Sequence, residues 1–360
     1  MEAPAPAEAA APPGRWRPGP AGWLLLLLPA HVLLLALVAL APGALETVYG
    51  RGLYPALTWL RLPLDATRLS PALTLLVVLL IQAARRAWSR GAPGPGRLRR
   101  GGLAAAWELA LVAALVAHLF PPLWGLNYLR PSAAARLGLE LEPVDAGRFA
   151  ETARRVVEAT NRARVVWGQP DVRGLDLAAD RALRARLAEL GLDEAAFPRR
   201  TRLYPRGMAM AGGWHGVTLP WTTEAWVDLA MDVRFVPHAL AHEKAHQAGF
   251  AREADANFLA WLALVRAPEP RLRYSTLFYV VDLFRASSAT PLSPEVLADM
   301  GEAVVVTEAA VVPVVEQATH QAYDTYLKVN QVQAGVLDYD RVALLIHAWL
   351  EAHPDALSGP

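Results

Sequence analysis

The stretch His242 to Ala260, HEKAHQAGFAREADANFLA, decides which fold and which chemistry to expect of this chain. His242 and His246 stand four positions apart, so on a helix both imidazoles lie on one face, about 40° apart around the axis. Two neutral imidazoles placed in this way can bind one zinc ion. Glu243 lies beside the first histidine, where its carboxylate can take a proton from a metal-bound water. The pattern predicts a helical zinc site with Glu243 as general base.

The residues around this motif favour the helix that it needs. Pro237 suits a first helical turn, residues 239–247 are rich in helix-forming residues, and Gly249 is a natural stop. A catalytic zinc site keeps one position for water and therefore needs a third protein ligand. Arg252 stands at the offset where metzincins have their third histidine. Since arginine does not bind zinc, that class of peptidase is excluded.

Glu253 is the expected third ligand. It begins a second helical segment after the break at Gly249, so its carboxylate can fold back toward His246. Asn257 follows four residues later on the same helical face, in an ExxxN pattern typical of gluzincins, where the glutamate binds zinc and its partner orients a histidine. Two other carboxylates are weaker candidates for the third ligand: Glu224 and Asp255.

The composition excludes several classes of protein. The chain has no cysteine, which removes disulfide scaffolds, thiolate metal sites and thiol nucleophiles, and leaves His and carboxylates as metal ligands. With 54% hydrophobic and 19% charged residues, it is too apolar for an ordinary soluble protein. Residues 1–124 hold 11 Arg and 5 acidic residues, and the rest holds 24 basic and 29 acidic residues. Basic residues that flank apolar runs, rather than line a binding face, argue against a nucleic-acid partner.

Three apolar runs predict transmembrane helices, at residues 23–41, 69–84 and 103–119. The first is long enough, at about 1.5 Å per residue, to cross a hydrocarbon core of about 30 Å. It exceeds the apolar part of a signal peptide and two further runs follow it, so we expect it to be retained. Residues 1–20 are a Pro- and Ala-rich tail that we expect to be disordered.

Arginines indicate the orientation of these spans, because basic residues in short loops stay on the cytoplasmic side. The loop between the second and third runs has no acidic residue and carries Arg85, Arg86, Arg90, Arg97, Arg99 and Arg100. We therefore expect a multi-pass protein of the cytoplasmic (inner) membrane with a cytoplasmic N-terminus. A membrane domain at 21–124 would then be followed by an extracytoplasmic domain at 125–360.

Two features of the membrane part have alternative interpretations. The first outer loop, residues 43–68, mixes aromatic and apolar residues with arginines, as does a helix lying in the membrane interface. It could instead pack against the outer domain. Glu108 lies within the third apolar run. It could be part of an ion path, but we expect it either to pair with an arginine or to face water.

The outer domain is predominantly helical by its pattern. Residues 140–200 have apolar residues near helical spacing, whereas residues 214–228, WHGVTLPWTTEAWVD, predict an extended strand followed by a turn. This strand could bind a peptide substrate along its edge or lie in the core. We therefore expect three N-terminal transmembrane helices plus an α-rich α+β, zincin-like (gluzincin-type) outer domain. Six residues could stabilise an oxyanion, and the sequence does not choose among them: Arg273, Tyr274, His320, Tyr323, Tyr326 and Arg341.

Several short motifs together resemble one bacterial family of membrane proteins, domain-of-unknown-function family 3810. They are GLYP at 52–55, GLNY at 125–128, PWTTEA at 220–225 and the segment from His242 quoted above, with further similarity at 273–275, 326–331 and 335–341. The HELAHQ-type motif of that family is typical of a membrane zinc peptidase. The resemblance implies His242 and His246 as zinc ligands and Glu243 as base. It also implies Glu253 as third ligand. Lys244 departs from the family pattern, because it places a charge where apolar residues are commoner.

Two functions are compatible with these patterns. The first is a membrane-anchored zinc metallopeptidase that cleaves a peptide or envelope-protein substrate at the outer face of the lipid bilayer. The second is a catalytically silent membrane sensor or scaffold that keeps the zinc-peptidase fold. Glu243 argues against the second, because a protein that only binds has no use for a general base. Intramembrane proteolysis is disfavoured because the helix that carries the motif is too polar to span a membrane.

Overall fold

The computed structural model describes residues 22–63, 70–90, 97–141, 144–168, 170–192, 200–329 and 341–358, so the predicted tail at 1–20 lies outside the described residues. The protein is mostly helical with one small sheet. Its helices are α1 (Gly22–Leu26), α2 (Leu28–Ala39), α3 (Pro42–Leu45), α4 (Tyr54–Arg61), α5 (Pro71–Arg90), α6 (Arg97–Leu123), α7 (Ala133–Leu137), α8 (Ala146–Ala163), α9 (Val172–Glu189), α10 (Val236–Gln247), α11 (Glu253–Leu264), α12 (Pro270–Val280), α13 (Pro294–Ala310), α14 (Pro313–Val329) and α15 (Arg341–Ala352). The strands are β1 (Arg202–Leu203), β2 (Gly216–Thr218) and β3 (Ala225–Val227).

The chain divides into two units. The first comprises residues 1–36 and 78–118, and the second comprises residues 37–77 and 119–360. The predicted division into a membrane domain and an outer domain at residue 124 stays a prediction.

One helix among the described residues is long and apolar enough to cross a membrane by itself, Gly101–Leu123 within α6. Only 11% of its most apolar window is buried, whereas the core helix of a soluble protein would be mostly buried. The apolar helix α2 passes the same test only together with Pro42–Arg61, from which it is bent by 100°, and the apolar part of α5, Pro71–Arg85, is shorter. The protein thus has one candidate membrane helix, a weak indication of membrane association. The three-span topology and its orientation stay predictions.

The first unit contains two polar features along these apolar helices. The ring Nε2 of His118 lies 2.8 Å from the carbonyl oxygen of Leu24, and the rings of His31 and His118 meet edge to face. Glu108 is buried within α6. Its predicted pairing with an arginine stays a prediction.

Helix α11 lies at the centre of the second unit. All 12 of its residues are buried, as expected of a helix that is apolar on most sides and surrounded by neighbours. Helix α10 packs along it, and α9, α12 and α15 also contact it. Large side chains such as Phe258 and Trp261 fill the apolar core there. The two helices that carry the predicted metal ligands are therefore among the most enclosed elements of the unit.

The sheet has the order β1-β3-β2, with β1 parallel and β2 antiparallel to β3. Residues 214–228 contain the predicted strand and turn, and a second strand, β3, follows the turn, so that the segment forms a hairpin. The chain reverses at Thr223, which has φ 56° and donates its backbone N–H to Leu219 O at 2.8 Å. Strand β2 lies at the edge of the described sheet, so of the two alternatives left open for this segment, edge or core, the structure supports the edge.

Residues 42–61, in the predicted first outer loop, are helical and belong to the second unit. Tyr49 and Tyr54 are buried there against Trp124, in a small apolar cluster. The side chains of Trp59 and Leu60 point away from it and are 65% and 76% exposed. This segment thus packs along one face against other residues of the second unit, and whether its other face lies in a membrane interface stays a prediction.

Candidate metal centre

Three predicted ligands meet at one point of the second unit. The Nε2 atoms of His242 and His246 are 3.1 Å apart, and the carboxylate oxygens of Glu253 lie 3.2 Å and 3.5 Å from them. Ligand atoms bound at about 2.1 Å to a tetrahedral ion lie about 3.4 Å from one another. No other group of His, Asp or Glu residues with metal-binding spacing occurs among the described residues. These three side chains could therefore hold a metal ion.

The turn between α10 and α11 brings these ligands together. Helix α10 ends because Gly249 adopts φ 98°, a left-handed conformation that glycine reaches without strain. The N–H groups of Gly249 and Phe250 then bond back to the carbonyls of His246 and Ala245. Helix α11 starts four residues later at Glu253, and this short connection places its first-turn carboxylate beside the last turn of α10.

His246 is oriented by a backbone carbonyl. Its Nδ1 donates to Phe250 O at 2.7 Å, which fixes the ring with Nε2 facing His242 and Glu253. Burial lowers the pKa of His246, but the neighbouring Glu253 carboxylate outweighs this effect and raises the pKa to about 9. For Glu253 burial acts in the opposite direction and raises the pKa, but the two histidines outweigh it and hold that pKa well below its ordinary value. The site is therefore suited to hold positive charge.

Glu243 lies next to the ligands without being one of them. It is buried, and one carboxylate oxygen accepts a hydrogen bond from the Thr218 hydroxyl at 2.7 Å. Gly216 leaves room for the other oxygen, because a Cβ built there would lie only 2.7 Å from it. Burial raises the pKa of Glu243, and the adjacent histidines oppose this increase. A carboxylate with a raised pKa can both accept and return a proton near neutral pH.

The centre opens into a cavity of about 720 Å³. Residues 216–218 of strand β2 line it. Five aromatic side chains line it as well: Trp124, Tyr128, Trp214, Tyr279 and Tyr323. Its volume lies within the range of sites for small ligands and peptide side chains.

Two of the six oxyanion candidates reach this cavity, His320 and Tyr323, which both project from α14. The hydroxyl of Tyr323 also donates to Glu253. Tyr274 instead donates to Asp299, and Arg273 donates to two carbonyls in the connection between α11 and α12. Arg341 is exposed at the start of α15, and the side chain of Tyr326 lies outside the described residues.

The weaker ligand candidates have other contacts. Glu224 pairs with Arg202 at 2.9 Å and accepts hydrogen bonds at the start of α5, and Asp255 lies 3.8 Å from Arg252. Neither belongs to the group that could hold a metal. Asn257 does contact a histidine, but its Oδ1 lies 3.3 Å from Nε2 of His238 and not beside a ligand.

Sequence reasoning did not identify three residues of the cavity wall. His238 stands four positions before His242, so its helical spacing was a usable signal, and it stacks on Tyr279 with ring centroids 3.9 Å apart. Thr218 and Gly216 had no such signal, because their role depends on the approach of β2 to α10.

A family model described as "Protein of unknown function (DUF3810)" matches residues 49–347. The match includes all three candidate ligands and Glu243. No curated protein and no solved structure matches the chain significantly.

Proposed function

The chain belongs to the DUF3810 family of proteins of unknown function, and from this premise we propose that it is a membrane-anchored zinc metallopeptidase with a zincin-like outer domain. One observation carries the proposal. His242, His246 and Glu253 meet at metal-ligand spacing, with the buried carboxylate of Glu243 beside them and a cavity in front. Two imidazoles and one carboxylate form a donor set typical of catalytic zinc, because magnesium and calcium prefer sites made of oxygen atoms alone.

Bound zinc would lower the pKa of a water molecule and polarise the scissile carbonyl group. Glu243 takes the proton of that water on a carboxylate oxygen and later passes it to the nitrogen of the leaving amine. The Thr218 hydroxyl orients the Glu243 side chain by donating a 2.7 Å hydrogen bond to one of its carboxylate oxygens. Of the oxyanion candidates, His320 and Tyr323 line the cavity, and Tyr323 would have to turn its single hydroxyl proton away from Glu253 to donate to the oxyanion.

The edge strand β2 supports a peptide as substrate. Its outer edge is not paired with another strand of the described sheet, and its residues 216–218 line the cavity. An extended peptide can add to such an edge through backbone hydrogen bonds. The aromatic side chains of the cavity favour an apolar residue next to the scissile bond.

The proposed place of action is the outer face of the cytoplasmic membrane. Three spans, with the N-terminus in the cytoplasm, would hold the domain near peptide or envelope-protein substrates. The candidate helix Gly101–Leu123 supports membrane attachment. A reporter enzyme fused after Leu119 tests the topology, since activity in the cytoplasm would contradict it.

Replacement of Glu243 by Gln tests the reaction. This variant keeps the shape of the side chain and removes the base, so it should retain about one zinc per chain and lose cleavage of a peptide library. Glu151→Gln, at an exposed carboxylate of α8, is the matched control and should leave zinc and cleavage unchanged. His242→Ala and His246→Ala should both lose zinc. Unchanged zinc content in both would refute the site, and wild-type protein that binds zinc but cleaves no peptide would favour the sensor.

A further inference from the structure

A buried polar cluster lies directly behind the turn of residues 248–252 that joins α10 to α11; we call this segment the metal-site turn. The cluster consists of Glu46, Tyr49 and Tyr54 from the segment after α2, and of Asn127 and Arg130 from the segment after α6. All five residues are at least nine-tenths buried, and all belong to the second unit. None of them is a candidate metal ligand or contributes to the proposed reaction.

The centre of this cluster is an ion pair between residues 84 positions apart. The Nε and Nη2 atoms of Arg130 donate to the two carboxylate oxygens of Glu46 at 2.7 Å and 2.9 Å. Arg130 also reaches the side-chain oxygen of Asn127 at 3.3 Å, and Asn127 in turn lies 3.4 Å from the hydroxyl of Tyr49. A bidentate pair of this kind has a strict geometry, so it joins the two segments in one relative position.

The cluster and the adjacent Tyr128 make hydrogen bonds on either side of the metal-site turn, to the residue before it and to its last residue. Tyr54 donates its hydroxyl to the carbonyl of Gln247 at 3.0 Å, where α10 ends. Arg252 donates to the carbonyl of Tyr128 at 3.0 Å, just before α11 begins. Between these points the backbone of Gly249 lies against the cluster, since a Cβ there would be 2.8 Å from the Tyr54 ring.

The same turn controls two of the three ligands. Its Phe250 carbonyl accepts the hydrogen bond that orients His246, and Glu253 follows directly at its end. A change in the path of the turn would therefore rotate one ligand and displace another. We propose that Glu46, Tyr54 and Arg130 are positioning residues of the metal centre, so that the segments following α2 and α6 are part of the site.

This inference gives a role to two motifs that the proposed reaction does not use. Tyr54 belongs to GLYP at 52–55, and Asn127 and Tyr128 belong to GLNY at 125–128. Both motifs meet at the metal-site turn although they are far apart in sequence. The inference rests on the proposed zinc site, and its test separates the two.

The test measures zinc affinity of the full-length protein by competition with a chelator. Replacement of residues that support metal ligands typically lowers metal affinity by about 10- to 100-fold. Glu46→Gln and Tyr54→Phe should therefore each weaken zinc binding by about tenfold. With Co²⁺ in place of zinc, both variants should also change the visible absorption spectrum, because a displaced ligand alters the coordination geometry. Tyr54→Phe removes one hydroxyl and keeps the ring, so it remains informative if Glu46→Gln does not fold.

Asp299→Asn is the matched control. Asp299 is 5% exposed, close to the 8% of Glu46, and it also pairs with arginines, but its partners Arg164, Arg234 and Tyr274 lie outside the metal-site turn. It should lower the unfolding temperature and leave zinc affinity and the Co²⁺ spectrum unchanged. Wild-type affinity and spectrum in both cluster variants would overturn the inference while leaving the proposed zinc site intact. Wild-type protein that binds no zinc would overturn both.

Discussion

The replacement Gly216→Ala probes how closely strand β2 approaches the general base. A Cβ at this position would lie 2.7 Å from a carboxylate oxygen of Glu243 and 2.7 Å from the backbone oxygen of Trp226. Ordinary van der Waals contact begins at 3.4 Å. Relief of both contacts requires the carboxylate to move by about 0.7 Å and β2 to separate from β3 by a similar amount. The backbone oxygen belongs to the paired strand, and the carboxylate is held by Thr218 at 2.7 Å, so both movements break a contact.

The cost of this replacement has two parts. Overpacking of a well-packed site destabilises a protein by about 1–3 kcal/mol. A displacement approaching 1 Å of a reacting group can lower a rate by about 100-fold. The new Cβ meets α10 at the Glu243 side chain, and His242, His246 and Glu253 are not among the atoms nearest to it. We therefore expect cleavage to fall by about two orders of magnitude while zinc content stays near one per chain.

Peptide cleavage, zinc content and thermal unfolding of the purified full-length variant measure these effects. Gly301→Ala is the matched control, because that glycine lies in the helix α13 and nothing lies within 4 Å of a Cβ there. It should leave cleavage and zinc unchanged, with stability equal to or slightly above that of the wild type. Wild-type cleavage and wild-type stability in Gly216→Ala would refute the close approach of β2 to Glu243.

Three further predictions concern the support of the site. Lys244→Ala should lower the free energy of unfolding, measured by chemical denaturation, by about 3–5 kcal/mol. It removes the buried ammonium group that lies 3.2 Å from Asp176 and 3.6 Å from Asp180, both on α9. A variant of wild-type stability would contradict this. Tyr323→Phe should weaken zinc binding by about tenfold in chelator competition, because the lost hydroxyl donates a hydrogen bond to Glu253. Zinc affinity equal to that of the wild type would show that this hydrogen bond does not support Glu253 as a ligand. Burial raises the pKa of Asp228, but four backbone N–H groups outweigh it and hold that pKa below its ordinary value. The stability that this carboxylate adds should therefore be present above about pH 3.9 and be lost as pH falls through the folded pKa. The stability difference between wild type and Asp228→Asn should accordingly narrow in acid, and a difference that does not depend on pH would contradict the assignment.

Lys244 illustrates where the sequence pattern and the packing disagree. In the sequence it is a charge at a position of the motif where apolar residues are commoner. In the structure it is fully buried, with its ammonium group between Asp176 and Asp180 of α9. A single charged residue in a helix does not reveal its partner, because the partner lies more than 60 positions earlier and is brought close only by the packing of α9 on α10.

The candidate metal-binding element of this protein follows from its local sequence. The spacing of His242 and His246, the stop at Gly249 and the restart at Glu253 all lie within 12 residues, and helix periodicity and turn preferences act over that distance. For the same reason the helices α10 and α11 agree with the prediction.

The surroundings of this element depend on tertiary packing. That packing brings His320 and Tyr323, two of the six oxyanion candidates, to the cavity, sets Thr218 against Glu243, and pairs Glu46 with Arg130 behind the metal-site turn. It also adds a second strand, β3, after the strand and turn that the sequence predicted for residues 214–228, so that the segment forms a hairpin. These contacts join residues that are distant along the chain, and local patterns show which side of an element is apolar without showing which other element packs against it.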